Sequence, residues 1–335
     1  MNAAERAVAV RRGAGLFRDL PRGVIGIDGS DRTRWLNGMI SGYVAKLASG
    51  PSKSGCYAVL LTPQGRIVAD LQVLDRSDAF WLDVARPAVA GVIERLSKYV
   101  IADDVELCDR TPEFTRLGLE GPAVGEIFGR VAGAAPHPSP DACVEVEVAG
   151  VPIVAAAFGW SGEAALQFYS PPASAATVAS ALLEAGAGLG LVEADSATLE
   201  ILRIEAGVPW LGADLDETVL PAEAGLDRAV ASDKGCYTGQ EVVERLRSRG
   251  QVSHRLVGLT IDGAEPFAVG VDVDHEDKRV GEVTSSCRSD TAVAIALAFV
   301  RRAWSEVGTE LRVGGRSARV AELPFVARSR PRRAT

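Results

Sequence analysis

Residues 232–250 read Ser232-Asp233-Lys234-Gly235-Cys236-Tyr237-Thr238-Gly239-Gln240-Glu241-Val242-Val243-Glu244-Arg245-Leu246-Arg247-Ser248-Arg249-Gly250. Thr238 followed three positions later by Glu241 is a capping box, so a helix is predicted to begin there. Val242, Val243 and Leu246 fall on one helical face, Glu244, Arg245 and Arg247 face away, and Gly250 supplies the stop. Cys236 is thereby placed in the turn that feeds a helix N-terminus. The positive end of the helix dipole and the Lys234 ammonium both favour thiolate over thiol there, and Gly235 and Gly239 leave the sulfur unshielded. The plain alternative is a small apolar residue filling a loop. Packing alone, however, gives no reason for two flexible glycines beside a helix start.

Lys234 to Glu241, KGCYTGQE, resembles the signature of the YgfZ family. These are folate-binding relatives of the glycine-cleavage aminomethyltransferase that act in iron–sulfur cluster assembly or repair. Upstream, Leu199–Gly207 (LEILRIEAG) is similar to the aminomethyltransferase segment whose glutamate hydrogen-bonds the pterin ring, at Glu205 here. A carboxylate suits that edge because it accepts two parallel N–H bonds. Read without the family, Arg203 and Glu205 also suit a solvated face. Asp214–Leu226 resembles the run that leads into the motif.

Gly65–Leu71 looks like the stretch in which a glycine turn precedes an Asp-Asp doublet lying against the folate. Here the doublet is reduced to Ala69-Asp70, which speaks against aminomethyl transfer and leaves folate binding open. On pattern alone Asp70 reads as a solvent-facing strand residue. With Gly281–Ser286 and Ala296–Arg301 resembling the family's C-terminal domain, the likeness runs from about Leu16 to Ala327.

The resemblance implies an α+β fold of three lobes around a central pocket. Two mixed lobes would occupy 13–245, the first discontinuous and the second about 52–112, with a small β-barrel at 250–327 and a basic disordered tail at 328–335. It implies tetrahydrofolate as cofactor, held by Asp70, Glu205, Arg203, Tyr237, Gln240 and Glu241, with Cys236 and Lys234 as the chemical pair. The implied role is an accessory protein for iron–sulfur cluster assembly or repair, its partners reduced folate and iron–sulfur enzymes or assembly proteins. The alternative is an aminomethyltransferase moving a one-carbon unit to tetrahydrofolate.

Composition agrees with a folded chain of two or three units: 335 residues, 47% hydrophobic and 24% charged. No apolar run reaches the length of a membrane span and residues 1–12 lack the core of a secretory signal, so no membrane partner and a cytoplasmic location are expected. A net charge of -8 argues against nucleic-acid binding. Cys56, Cys108, Cys143, Cys236 and Cys287 are odd in number and widely spaced, with no CxxC, and three histidines form no HExxH. Neither a disulfide framework nor a metal site is expected.

Alternation predicts a β-meander over 55–86, and short period-2 strands after 256, one of them at Val269–Val273, predict the barrel. Gly186-Ala187-Gly188-Leu189-Gly190 invites a dinucleotide-binding reading. It fails because position 191 is leucine and the segment follows a helix where a strand is required.

Overall fold

The computed structural model describes residues 1–18, 20–47, 54–250, 252–263, 265–289 and 293–329, apart from the Arg249 side chain. The basic tail expected at 328–335 lies outside the described residues from position 330 onward.

The chain opens with α1 (Ala3–Arg12) and β1 (Ala14–Arg18), then β2 (Arg22–Asp28) and α2 (Arg32–Met39). Next come β3 (Gly55–Leu61), β4 (Ile67–Asp75), β5 (Phe80–Ala85), α3 (Val89–Ser97) and β6 (Glu106–Asp109). These are followed by β7 (Thr115–Glu120), α4 (Val124–Ala132), β8 (Cys143–Val148), β9 (Val151–Ala156), β10 (Ala165–Ser170), α5 (Ala175–Ala185), β11 (Leu191–Ala194) and α6 (Ser196–Glu205). After α7 (Gln240–Arg249) the strands are β12 (His254–Ile261), β13 (Asp272–His275), β14 (Lys278–Arg288), β15 (Ala294–Arg301), β16 (Glu310–Val313) and β17 (Arg316–Ala321).

A six-stranded sheet in the order β11-β1-β7-β10-β9-β8 takes its strands from both sides of a five-stranded sheet, β3-β4-β5-β2-β6. The six-stranded sheet is therefore discontinuous in sequence. The second sheet also recruits β2, from before residue 52, because Ile25 pairs with Leu82 of β5 on one side and Asp109 of β6 on the other. Strands β12-β15-β14-β13-β16-β17 close into a barrel, which leaves no open edge. The α+β class and the C-terminal barrel expected from the sequence are both present. β13 starts at Asp272 rather than Val269, because Val269 and Gly270 form a turn.

Period-2 alternation dictates how these units layer. In β4, Ala69, Leu71 and Val73 face one way and pack with Trp35 and Leu36 of α2 and Val92 and Leu96 of α3. In the other sheet Leu117, Leu119, Leu166 and Phe168 pack with Ile127 and Phe128 of α4 and Val178 and Leu182 of α5. Each such large side chain contributes about 1.5–3 kcal/mol by leaving water. The opposite sheet faces meet each other: Val24, Leu74 and Trp81 of one pack with Cys143, Val154 and Tyr169 of the other. Helix, sheet, sheet and helix thus form four layers. The barrel has its own apolar core and docks on α6 through Ile204, Cys287, Ile295 and Leu297. Among the described residues no helix is long and apolar enough to cross a membrane.

Candidate functional site

If Ala69, Leu71 and Val73 face the helices, Asp70 and Gln72 face the other sheet, and the inter-sheet layer must absorb polar groups. It does so as a network. Asp83, with no exposed surface, accepts from Arg22 Nε at 2.8 Å, from the Tyr169 hydroxyl at 2.9 Å, and from Arg116 Nη1. The Arg22 guanidinium lies 5.1 Å from the Trp160 ring centroid and 5.8 Å from that of Trp210, and Arg116 lies 5.4 Å from Trp160. Buried guanidinium groups need such counter-charges and aromatic faces. Glu120 accepts the backbone N–H of Ser161 at 2.7 Å and of Trp160 at 3.1 Å. Burial pushes its carboxyl up, and those donors oppose the rise.

Asp70 sits in this layer, 4% exposed. Its Oδ2 accepts from the Tyr57 hydroxyl at 3.3 Å, and its Oδ1 is buried with no hydrogen-bond partner among the described residues. Tyr57 is itself raised well above the usual phenol range, by burial first and by Asp70 second. The Arg228 guanidinium caps the Tyr57 ring at 4.3 Å. The solvent-facing alternative for Asp70 is thereby excluded.

Arg203 and Glu205 lie in another place. Arg203 Nη1 donates to Asp214 at 2.6 Å, and Nη2 donates to Ser285 Oγ at 2.6 Å and to Glu200. Asp214 also accepts from Thr284 Oγ1 at 2.5 Å and from Ser285 Oγ at 2.7 Å. Arg203 is therefore the tie between α6 and barrel strand β14. Glu205 is paired with Arg11 and accepts from Ser289 Oγ at 2.8 Å. Neither residue is a solvated face. Both carry partners from the chain itself.

The motif loop is hung on the end of α2. Lys234 Nζ donates to the carbonyls of Asn37, Ile40 and Gly42 at 2.7, 2.6 and 2.8 Å, which satisfies acceptors that a helix C-terminus leaves open. Burial lowers Lys234 to about 8, while the three carbonyls and the Tyr237 ring, 4.8 Å away, favour the ammonium. All three donor positions are spent on backbone, so Lys234 organises the loop rather than serving as a free cation for the thiol. Cys236 is exposed.

The capping box does not form. Gly239 is the N-cap, at φ 84°, with no side-chain cap bond, and Gln240 Oε1 accepts the Tyr237 N–H at 3.3 Å. A Cβ at position 239 would lie 2.6 Å from the Thr62 carbonyl oxygen, so the closeness of that turn, and not a threonine cap, sets the helix start. Thr238 instead donates its N–H to the Gly38 carbonyl at 3.2 Å. Glu241 is exposed and pairs with Arg245 at 2.8 Å. Tyr237 packs among Val59, Leu61, Val219 and Val243, its hydroxyl buried without a hydrogen-bond partner among the described residues.

The predicted site residues thus fall into three groups: Asp70 between the sheets, Arg203 and Glu205 at the barrel seam, and Lys234 to Glu241 beside α2. A cavity of about 660 Å³ lies among Asp214, Val219, Glu223, His254, Phe299 and Arg301, and one of about 260 Å³ adjoins Arg11, Glu163 and Glu205. Cys236 and Asp70 line neither. Sequence reasoning missed Arg22, Asp83, Arg116, Glu120 and Gln167. The available signal was opposite charge at inward strand positions, as in Arg116-Leu117-Gly118-Leu119-Glu120.

Comparison with known proteins covers nearly the whole chain. Residues 2–234 match the GCVT N-terminal domain, and residues 254–326 match the glycine cleavage T-protein C-terminal barrel domain. An aminomethyltransferase of Cutibacterium acnes is 33% identical over 96% of this chain and 89% of its own length. One of Rubrobacter xylanophilus is 32% identical over 96% and 86%. A putative chloroplastic transferase of Arabidopsis thaliana is 28% identical over 92% and 70%. The crystal structure of the glycine cleavage system aminomethyltransferase T from Bartonella henselae superposes with a TM-score of 0.86 over 98% of this chain and 91% of that one, at 22% identity, and so shows the same fold. On these matches the chain belongs to the glycine cleavage T-protein family, whose aminomethyltransferases use tetrahydrofolate as the one-carbon acceptor.

Proposed function

We propose that the chain is a tetrahydrofolate-binding protein that sustains iron–sulfur enzymes, with Asp70 holding the reduced folate and Cys236 supplying thiol chemistry. The observation that carries the folate half is Asp70 Oδ1, an acceptor buried without a hydrogen-bond partner among the described residues. Leaving it so costs about 1–3 kcal/mol, more for a charged group. A reduced pterin, rich in N–H donors, fits that need. Glu205 does not fit, since Arg11 and Ser289 already occupy its carboxylate.

When bound, reduced folate supplies a nitrogen able to accept a one-carbon unit. In this reading Asp70 accepts an N–H bond from it, Tyr57 fixes the orientation of Asp70, and the inter-sheet packing excludes water. The thiol half rests on the exposure of Cys236 in a loop that Lys234 fastens to α2. An exposed thiol can serve as nucleophile or as a transient ligand or redox partner for an iron–sulfur client. A cytoplasmic setting, with its reducing poise, belongs to the same proposal.

A second reading is aminomethyl transfer to tetrahydrofolate. The names of the bacterial relatives favour it over the first, and the KGCYTGQE motif favours the first. Ala69 no longer weighs against transfer: it faces the α2 and α3 core, so a second aspartate there would not share the side of Asp70.

Titration with tetrahydrofolate tests the shared part, and Asp70→Asn is expected to weaken binding at least about tenfold. The two uses are then separated in different assays. Glycine-cleavage turnover with the partner proteins would establish the second reading. Loss of iron–sulfur enzyme activity in cells carrying Cys236→Ser, without such turnover, is expected under the first.

A further inference from the structure

The last described segment, Leu323–Ser329, lies across the seam of α1, the 159–163 loop, α6 and the barrel, and it touches each of them. The Phe325 N–H donates to the Glu205 carbonyl at 2.8 Å. The Ser329 N–H donates to the Glu163 carboxylate at 3.1 Å, and its hydroxyl donates to the Arg11 carbonyl at 2.9 Å. Leu323 and Phe325 pack against Ile204, Ile295 and Leu297. Room for them is made by Gly258 in β12. A Cβ there would lie 2.7 Å from the Phe325 ring and 2.8 Å from Leu323.

Glu163 connects this strap to the inter-sheet layer. Its N–H donates to Ser161 Oγ at 3.3 Å; the Ser161 and Trp160 N–H groups donate to Glu120; and the Trp160 ring carries the Arg22 and Arg116 guanidinium groups. Arg22 in turn feels the charge of Asp70. Contiguous hydrogen bonds and stacked groups therefore run from the C-terminal segment to one wall of the layer that holds Asp70. Such continuity permits coupling, and perturbation tests whether it operates.

We propose that Leu323–Ser329 is a latch: docked, it holds the 158–163 loop closed over the inter-sheet layer, and undocked, it loosens that loop and opens a route to Asp70. Its link to folate exchange rests on the functional reading above, whereas its link to the loop does not. By linkage the coupling is reciprocal: whatever displacing the segment does to the loop equilibrium, opening the loop does equally to the docking of the segment.

The test is hydrogen–deuterium exchange on the full chain, without ligand, for wild type and two variants, Gly258→Ala and Phe325→Asp. The first fills the slot and the second empties it of its anchor. Exchange at 323–329 is expected to rise about tenfold or more, with exchange at 158–163 rising in step. A freed segment with unchanged protection at 158–163 overturns the proposal. A segment that stays protected in both variants overturns it too, because the Gly258 slot would not then be what holds it. In a separate arm, the variants should release tetrahydrofolate several times faster than wild type. If wild type does not bind tetrahydrofolate, the folate reading falls and the latch stands or falls on exchange alone.

Discussion

The Tyr169 hydroxyl donates to Asp83 at 2.9 Å across the gap between two sheets, so the centre of this protein is joined by a charge network as well as by apolar packing. Asp83 also accepts from Arg22 and Arg116, and both guanidinium groups are buried. Removing one member of such a set leaves uncompensated charge in the interior, which costs about 3–5 kcal/mol. Asp83→Asn is therefore expected to lower unfolding free energy by about that amount in urea denaturation, and a loss below about 1 kcal/mol would show that the network is dispensable.

The five cysteines should differ sharply in reactivity. Burial pushes Cys56 and Cys287 up to about 12, so both remain thiols near neutral pH, and Cys143 is fully buried, out of a reagent's reach. Cys108 is raised by burial as well. Since the thiolate is the reactive form, brief iodoacetamide treatment at about pH 8 should modify Cys236 first and alone, as read by mass spectrometry of the peptides. Alkylation of Cys56 at a similar rate would contradict the placement of both residues.

Much of the architecture was legible because it rests on local pattern. Short apolar runs such as Ala79–Val84 and Leu256–Ile261 announce strands, and the strand-turn-strand of 55–75 has its turn residues in place. What could not be read was where charged strand residues point. An aspartate at position 70 or 83 looks solvent-facing until a second sheet is laid over it. Glu205 depends on Arg11, 194 positions away, and Arg203 on Ser285, 82 positions away, so no window of sequence shows either to be engaged. The Thr238–Glu241 pattern fails as a box for a related reason. The helix start is set by contact with the Thr62 turn, a tertiary constraint that overrides local capping.

At Asp195 the acid dependence can be worked out. Its carboxylate accepts from Thr198 Oγ1 at 2.6 Å and from Thr198 N at 2.9 Å at the start of α6, and it pairs with Arg6. These bonds, the Thr198 hydroxyl foremost, lower the carboxyl from 3.8 to about 2. A depressed carboxyl stabilises the fold above its unfolded value and loses that contribution as pH falls through the folded one. Asp195→Ala should therefore cost about 1 kcal/mol at neutral pH, toward the low end because the side chain is half exposed. The gap to wild type should close as pH falls from 3.8 through about 2, and a gap of constant size would refute the assignment.

Arg203 allows the structural and ligand-binding roles to be told apart. It is fully buried, and its substitution by methionine removes the counter-charge of Asp214, leaving that carboxylate only the hydroxyls of Thr284 and Ser285 and the Trp210 N–H at 3.0 Å. The expected loss is about 3 kcal/mol of stability, since an interior charge has lost its partner. Because Arg203 faces the barrel rather than Asp70, tetrahydrofolate affinity measured well below the melting transition should change by less than about threefold, against at least tenfold for Asp70→Asn. Were Arg203→Met to abolish binding while leaving unfolding free energy intact, α6 would present this arginine to the ligand, and the ion pair with Asp214 would not be its role.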